Sequence, residues 1–586
     1  MTRNEIINEI SKQVSIKLES LYTIFECNSK SRQKRFSHVI NDMINKGMIV
    51  YNKETDIISL PLPRQRKKKK KKEVKKEKKM ELKKKLMDAT TDFDSIVSKY
   101  KIRKDFPASV MREAENVETT IPEKEIKKRL DLRNFLIFTI DGEDAKDLDD
   151  AVSIEKLQDG WKLGVHIADV SYYVPKQSKL DIEALKRGNS FYFVNKVVPM
   201  FPKNLSNGIC SLNPQEDRLT LSIFMHIDKN GEVKKYNIYK SIINSKYRLT
   251  YEKVQNYLDG KENFPSSELE DSLNEMNVLF RILHKKRMKE GGIDFDFKEQ
   301  KCILDENDEP IKFYLKERLD SERIIEEFML IANQTIAKFL SEKGISIYRI
   351  HGEPPVEKIQ DFVRLTLKLG HKIYGVPVPD AKELQRILYE VKDKPYKELI
   401  NQLLLRSMQQ AKYDTNNIGH YGLGFEFYTH FTSPIRRYAD LIVHRLIKNN
   451  LFDKSKKSLY SEQELSRISQ HISTMERVAM EAERDFYKIK SLRFMLGREG
   501  KKYEGLITGV SSFGIFVEIK KYGIEGLVRY QDIEDDYYIF NEKDHVAFGK
   551  KTKKRYTLGD RVFVKVKRVN LHKGYLDLLI INNERI

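Results

Sequence analysis

The chain has 586 residues, 40% of them hydrophobic, enough for several domains and a sizeable core. Its 108 Lys and Arg against 87 Asp and Glu leave a net charge of +21, which calls for a polyanionic partner, nucleic acid before membrane. Cys27, Cys210 and Cys302 are too few and too scattered for a disulfide framework or a zinc site, the first ten residues are too polar for a secretory signal, and no apolar run could span a bilayer.

Residues 1–60 read as a small separate unit. Ile6, Ile7 and Ile10 recur at helical spacing, and Phe36, Val39, Ile40, Met43 and Ile44 repeat the pattern in a second helix closed by Asn45-Lys46-Gly47. Two strand-like runs follow, at 48–51 and 57–60. Helices before a β-hairpin resemble a winged helix, either a nucleic-acid-docking module or a protein-contact unit. Residues 61–85 then carry 15 Lys or Arg against three Glu, a net +12 in 25 residues. Such a block buries no core. It serves as a spacer or, the better reading, as a sequence-independent phosphate tether in which Lys67, Lys68, Lys69 and Lys70 contact RNA or DNA.

Residues 86–500 form one long mixed α/β region. A proline-entered helix opens it after Phe106, strands such as 163–167 alternate with helices such as 321–343, and the stretch 394–497 is expected to be strongly helical. Between the strand-like runs 135–140 and 151–154 lies Asp141-Gly-Glu-Asp-Ala-Lys-Asp147-Leu-Asp149-Asp150. Carboxylates this dense repel one another in a shared pocket unless a divalent cation offsets them, and hard oxygen ligands suit Mg²⁺. In a basic protein that combination suggests metal-assisted phosphodiester chemistry. The competing reading of the spacing alone is a solvated acidic turn. Residues 503–586 switch to short strands at 503–510, 514–519, 525–528, 561–566 and 574–579 with glycine turns, the pattern of an OB-fold barrel. Phe513 and Phe516 flank a glycine turn, where exposed rings stack on bases and buried rings fill the core.

Several motifs together resemble a known family. The stretch 133–174, with Thr139-Ile-Asp-Gly-Glu-Asp-Ala-Lys-Asp-Leu-Asp-Asp-Ala-Val and Val165-His-Ile-Ala-Asp-Val-Ser-Tyr-Tyr-Val, resembles the catalytic RNB domain of the RNase R and RNase II exoribonucleases, RNase R most closely. Arg187-Gly-Asn-Ser-Phe-Tyr-Phe, His430-Phe-Thr-Ser-Pro-Ile-Arg-Arg-Tyr-Ala-Asp440 and Glu481-Ala-Glu-Arg-Asp485 agree and keep the family order. Ser512-Phe-Gly-Ile-Phe-Val-Glu518 resembles the family's RNA-binding barrel. The expected architecture is multidomain α+β: a winged-helix-like unit over 1–60, a lysine-rich linker over 61–100, a mixed α/β RNB catalytic domain over 101–500 and an OB-fold barrel over 501–586. Two features depart from the family. The stretch 61–100 is too short for the two cold-shock barrels that usually stand there, and basic charge sits in this neck rather than in a lysine-rich tail. Arg529 also stands where the barrel family often has histidine.

The resemblance implies a processive, Mg²⁺-dependent 3′-to-5′ exoribonuclease that releases nucleoside 5′-monophosphates in RNA turnover and quality control. It implies Asp141, Asp147, Asp149 and Asp150 as metal ligands, with Asp149 indispensable for holding metal and attacking water. Arg436 matches the arginine on the scissile phosphate, with Arg437 beside it as a further RNA contact; for either, the plain alternative is a surface ion pair. Glu483 matches an acidic residue near the leaving nucleotide, its alternative being an ion pair with Arg477 or Arg484. Tyr192 matches an aromatic that stacks on the terminal bases, its alternative being a core tyrosine. His166 and His351 read as packed histidines without a role. The implied partner is RNA, without a membrane, with room for ribosome or RNA-decay machinery contacts; a monomer in the cytoplasm is expected. An RNA-binding protein on an inactive scaffold and a winged-helix regulator on DNA are the rival readings, and digestion of end-labelled RNA with and without Mg²⁺ separates all three.

Overall fold

The computed structural model describes residues 2–61, 88–295, 297–375, 378–394, 396–453, 458–541 and 546–581. Lys67, Lys68, Lys69 and Lys70, with nearly all of the lysine run, lie outside the described residues. The chain divides into two compact units, Met1–Asp88 and Ala89–Ile586.

The first unit has helices Arg3–Gln13, Leu18–Ile24 and Lys30–Asn45 and a three-stranded sheet of Ser15–Lys17, Val50–Asn52 and Ile57–Ser59. Thr2 and Glu5 cap the first helix reciprocally, satisfying donors that a helix start leaves open. Ile6, Ile10, Phe36, Ile40 and Met43 are buried on the apolar stripes of two helices. The middle helix and the first strand had no periodic signal of their own, being seven and three residues long.

The second unit is built on a seven-stranded sheet of β1 (Leu130–Asp131), β2 (Phe138–Asp141), β3 (Asp150–Lys156), β4 (Gly160–Ala168), β5 (Asp217–Asp228), β6 (Val233–Asn244) and β7 (Tyr247–Thr250). Their spatial order is β7-β2-β3-β4-β5-β6-β1, antiparallel except for the two edge pairings. β4 is buried along nearly its whole length, Lys162 excepted. Gly164 pairs with Ser153, and a Cβ there would stand 2.3 Å from Ser153 Oγ. His166 is buried between Ser153 Oγ at 3.0 Å and Ser222 Oγ at 2.7 Å, and burial pushes its pKa down to about 3. It is a neutral, satisfied core histidine, and His351, bonded to the Gln409 carbonyl and the Gly422 N–H, is another. The described residues from 88 to 128 form short helices, Asp92–Lys99, Ala108–Glu115 and Glu123–Ile126, rather than a barrel.

Helices α1 (Asp320–Ser341) and α2 (Tyr438–Phe452) pack into the same apolar core as the sheet. The expected helical stretch 394–497 is interrupted. After helix Lys397–Ser407, residues 408–437 contain one short strand, Lys412–Asp414, a 3₁₀ turn, Tyr421–Leu423, and irregular backbone. Gly419 and Gly424 adopt φ of +78° and +70°, and Pro434 cannot supply a helical N–H. The sequence was apolar enough for helix, but these residues turn the chain back toward the sheet.

Helix α3 (Glu462–Met495) runs 34 residues, about 50 Å at 1.5 Å per residue. Leu465, Ile468 and Ile472 join the main core, whereas Leu492, Phe494 and Met495 join the core of the C-terminal barrel. The closed barrel has strands β8 (Lys502–Ser511), β9 (Gly514–Ile519), β10 (Ile524–Arg529), β11 (Arg561–Asn570) and β12 (Tyr575–Ile581) in the order β8-β9-β10-β12-β11. It is the expected OB-fold, with an unexpected three-stranded sheet, Tyr538–Asn541, Val546–Gly549 and Arg555–Thr557, inserted between β10 and β11.

Candidate active site

β2 ends on Asp141 and β3 begins on Asp150, so the turn 142–149 projects from one end of the sheet. Three anchors shape it. Ser211 Oγ accepts the Leu148 N–H at 3.1 Å and donates to the Lys146 carbonyl at 2.9 Å. Arg248 Nη2 reaches the carbonyls of Glu143 and Ala145 at 2.8 and 2.7 Å. The Asp149 carbonyl accepts the Ala168 N–H of β4 at 2.9 Å.

The irregular segment 431–437 crosses this turn. The Ile435 N–H donates to Asp149 Oδ1 at 2.8 Å, and Arg436 Nε stands 3.6 Å from Asp149 Oδ2. Asp149 is only 4% exposed, and its Oδ2 is buried without a hydrogen bond. Such an oxygen is costly in a folded protein unless an ion or water takes it up. Arg436 donates through Nη2 to Ser433 Oγ at 2.9 Å, yet its side chain remains 44% exposed. The guanidinium is thus aimed but accessible.

Electrostatics sharpen the picture. Burial pushes the Asp149 carboxyl well above the usual carboxylate range and raises Asp141 as well. Asp150 is pushed up to about 7, by burial and then by the charge of Asp141. Arg436 opposes all three shifts. Arg436 is the cation common to all three partly or fully buried carboxylates, with Arg248 acting on Asp141 and Arg437 on Asp150, and burial still outweighs them. Among the described residues no three His, Cys, Asp or Glu side chains are grouped so as to hold a metal ion by themselves. The donor set still fits a hard divalent cation, because such ions keep waters and need few protein oxygens.

The remaining expected residues are placed less uniformly. Tyr192 is neither in the core nor open to solvent; it is half-buried, with its hydroxyl donating to Asp147 Oδ2 at 2.5 Å. Arg437 grips Asp440 through two bonds of 2.8 Å, and Asp440 in turn accepts the Ser433 N–H at 2.8 Å. That guanidinium shapes the 433–440 loop, and its contacts speak for positioning more than for RNA. Glu483 is exposed on α3 and, among the described residues, makes no ion pair with Arg477 or Arg484. Its carboxyl is raised first by burial and then by the charge of Glu299. In the barrel, Phe513 is 55% exposed and Phe516 half-buried, with ring centroids 5.9 Å apart and edge to face.

Two residues of the site had no sequence signal. Arg248 enters because β7 runs parallel to β2 with Arg248 beside Thr139. Tyr251 follows β7, and after burial the charges of Asp141 and Asp150 raise its hydroxyl pKa, which puts it on the same pocket. A pairing more than 100 residues apart leaves no trace in local spacing. No helix of the described residues is long and apolar enough to cross a membrane.

Comparison with known proteins agrees with this geometry. The RNB domain family matches residues 129–453, and the S1 RNA binding domain family matches 498–581. Ribonuclease R of Aquifex aeolicus is 42% identical over 498 residues, covering 83% of this chain and 70% of that protein. Ribonuclease R 1 of Lactococcus lactis is 39% identical over 564 residues, covering 95% and 68%. The apo structure of Mycoplasma genitalium RNase R is similar with a TM-score of 0.81 at 31% identity, covering 84% of this chain and 78% of that one; the same protein is solved with ribose-methylated single-stranded RNA. A buried acidic turn under an aimed arginine, followed by an RNA-binding barrel and matched to these relatives along most of its length, makes this protein a member of the ribonuclease R group of RNB enzymes, a 3′-to-5′ exoribonuclease.

Proposed function

We propose that the enzyme removes nucleoside 5′-monophosphates one at a time and processively from RNA 3′ ends, with Mg²⁺, as a cytoplasmic monomer in RNA turnover and quality control. The observation that carries this reading is Asp149 Oδ2, buried without a hydrogen bond and 3.6 Å from Arg436 Nε. The outward N–H groups of Arg436 suit a phosphate better than an ammonium would, because the guanidinium fork matches paired oxygens. Asp149, held by the Ile435 N–H, would orient the attacking water. Hydrolysis forms a bond from water oxygen to phosphorus and breaks the bond to the 3′ oxygen, leaving a new 3′-hydroxyl on the shortened RNA. Asp141, Asp149 and Asp150, with Asp147, would hold the Mg²⁺, which when bound offsets their charge and lowers the pKa of water.

Tyr192 lies beside Asp147, where its ring can stack on the last bases regardless of sequence. Glu483 lines the way the released nucleotide leaves. Phe513 and Phe516 offer a stacking face to the incoming strand, and the lysine run adds phosphate contacts without reading sequence. Ribosome or RNA-decay machinery contacts fit such a basic chain.

The test is RNA labelled at its 5′ end, incubated with and without Mg²⁺. A ladder shortening to a small limit product, only with Mg²⁺, supports the proposal. A mobility shift without degradation refutes it.

A further inference from the structure

The hairpin that carries Tyr192 cannot hold itself. Its strands, Phe191–Tyr192 and Val197–Val198, have two residues each, far below a self-supporting ribbon. Something outside the hairpin must fix the position of the ring.

Two structures do so. Behind the hairpin, Phe193 packs edge-on against Phe93 of helix Asp92–Lys99 and Phe486 of α3, each with centroids at 5.3 Å. At its tip, Asn195 Nδ2 and Lys196 Nζ hold the Asp308 carboxylate at 2.8 and 2.5 Å. Asp308 occupies the turn between strands Glu299–Leu304 and Pro310–Lys316, with φ of +60° and 8% exposure. Its carbonyl accepts Lys490 Nζ at 2.7 Å.

Lys490 is the hub. It is fully buried, and its other bonds go to Asp92 Oδ2 at 2.8 Å and the Ala89 carbonyl at 3.2 Å. An ammonium has three donors, so all are used. Asp92 also accepts Arg493 Nε and Nη2 at 2.6 and 2.7 Å. A buried ammonium is tolerable only while it is paired; without its carboxylate it must relocate toward water. Losing the Asp92 charge would therefore release the Asp308 carbonyl, loosen the turn, and free Asn195 and Lys196.

We infer that Asp92 is a positioning residue for the 3′ end of the substrate, acting through Lys490, Asp308 and the Asn195–Lys196 tip on the hairpin that presents Tyr192. The inference rests on the reading that Tyr192 faces the last bases. Among the described residues the hydrogen bonds of Asp92, Lys490, Asp308, Asn195 and Lys196 given above run to one another, to Ala89 and to Arg493 rather than to the acidic turn; Tyr192 alone reaches it, through Asp147.

The experiment uses the full chain with Mg²⁺ and 5′-labelled RNA. It compares Asp92→Asn, the tip pair Asn195→Ala with Lys196→Ala, Tyr192→Ala, and Asp92→Asn combined with Tyr192→Ala. The tip pair matters because it lies outside the buried Asp92–Lys490–Arg493 cluster and tests the relay at its far end. Asp92→Asn and the tip pair are each expected to lengthen the limit product. Each should raise KM for short RNA about 2- to 30-fold, the range of indirect coupling energies, with kcat on long RNA moving much less. The combined variant should go no further than Tyr192→Ala alone. If Tyr192→Ala lengthens the limit product while the tip pair leaves it unchanged, the inference is overturned and the reading of Tyr192 stands. If Tyr192→Ala also leaves it unchanged, that reading falls and the inference falls with it. Additive effects in the combined variant would likewise overturn it, since Asp92 would then act by another route.

Discussion

Asp149→Asn separates chemistry from binding and from folding. The substitution keeps shape, and the new amide oxygen can still accept the Ile435 N–H that now reaches Oδ1 at 2.8 Å. What changes is the atom facing Arg436 Nε across 3.6 Å, where an amide N–H replaces a carboxylate oxygen. One preorganised charge contact of this kind is typically worth at least ~10²-fold in turnover, about 2.7 kcal/mol of barrier. Stability moves the other way or not at all. Burial disfavours the Asp149 carboxylate, and its partner is half-exposed, so the ion pair given up is worth at most about 1 kcal/mol. RNA affinity should hold or rise slightly, because a negative charge beside a phosphate has gone. The assay is single-turnover decay and binding of one RNA at saturating Mg²⁺, with a thermal melt alongside. Wild-type turnover would dismiss the acidic turn as the reaction centre. A lower melting temperature with weaker RNA binding would refute the account of Asp149 as a strained, functional carboxylate.

Three further outcomes follow from the same structure. Asp150 is raised to about 7, above its unfolded value near 3.8, so its contribution to stability is present below about pH 4 and lost as pH rises through 7. The cation-free protein should melt lower across that window, and Mg²⁺ should bind more tightly at pH 8 than at 6; calorimetry showing equal affinities would contradict this. The two neighbouring arginines should part company. Arg437→Met leaves the buried Asp440 unpaired and should cost about 3–5 kcal/mol of stability, while Arg436→Met should leave the melt nearly unchanged but cut turnover; similar melts for both would count against the assigned roles. Deleting residues 64–85 removes a net +12, so RNA binding should weaken and its logarithmic salt slope should flatten; an unchanged slope would make the neck a spacer.

The sequence by itself determined the family, the acidic turn, the Arg436 loop and the five-stranded barrel. These are legible because their information is local: carboxylates nine residues apart, alternating strands, glycine turns and contiguous motifs. It also marked His166 and His351 as packed histidines, since an apolar strand implies burial. What it could not rank were neighbours of equal chemistry. Arg436 and Arg437 are adjacent and identical in type, but only Arg437 meets Asp440, through the turn of the chain at 433–440. Asp149 is one of four candidate ligands, yet only the crossing of segment 431–437 gives one of its oxygens a backbone donor and leaves the other bare. Tyr192 was either core or stacking ring by sequence, and its place beside Asp147 depends on a hairpin held from Asp308 and Lys490. Arg248 and Tyr251 reach the pocket through a parallel pairing across more than 100 residues. The division has one physical cause. Local spacing dictates which groups are available, but burial and long-range pairing decide which of them lose water and partners, and that loss gives a carboxylate or an arginine its function.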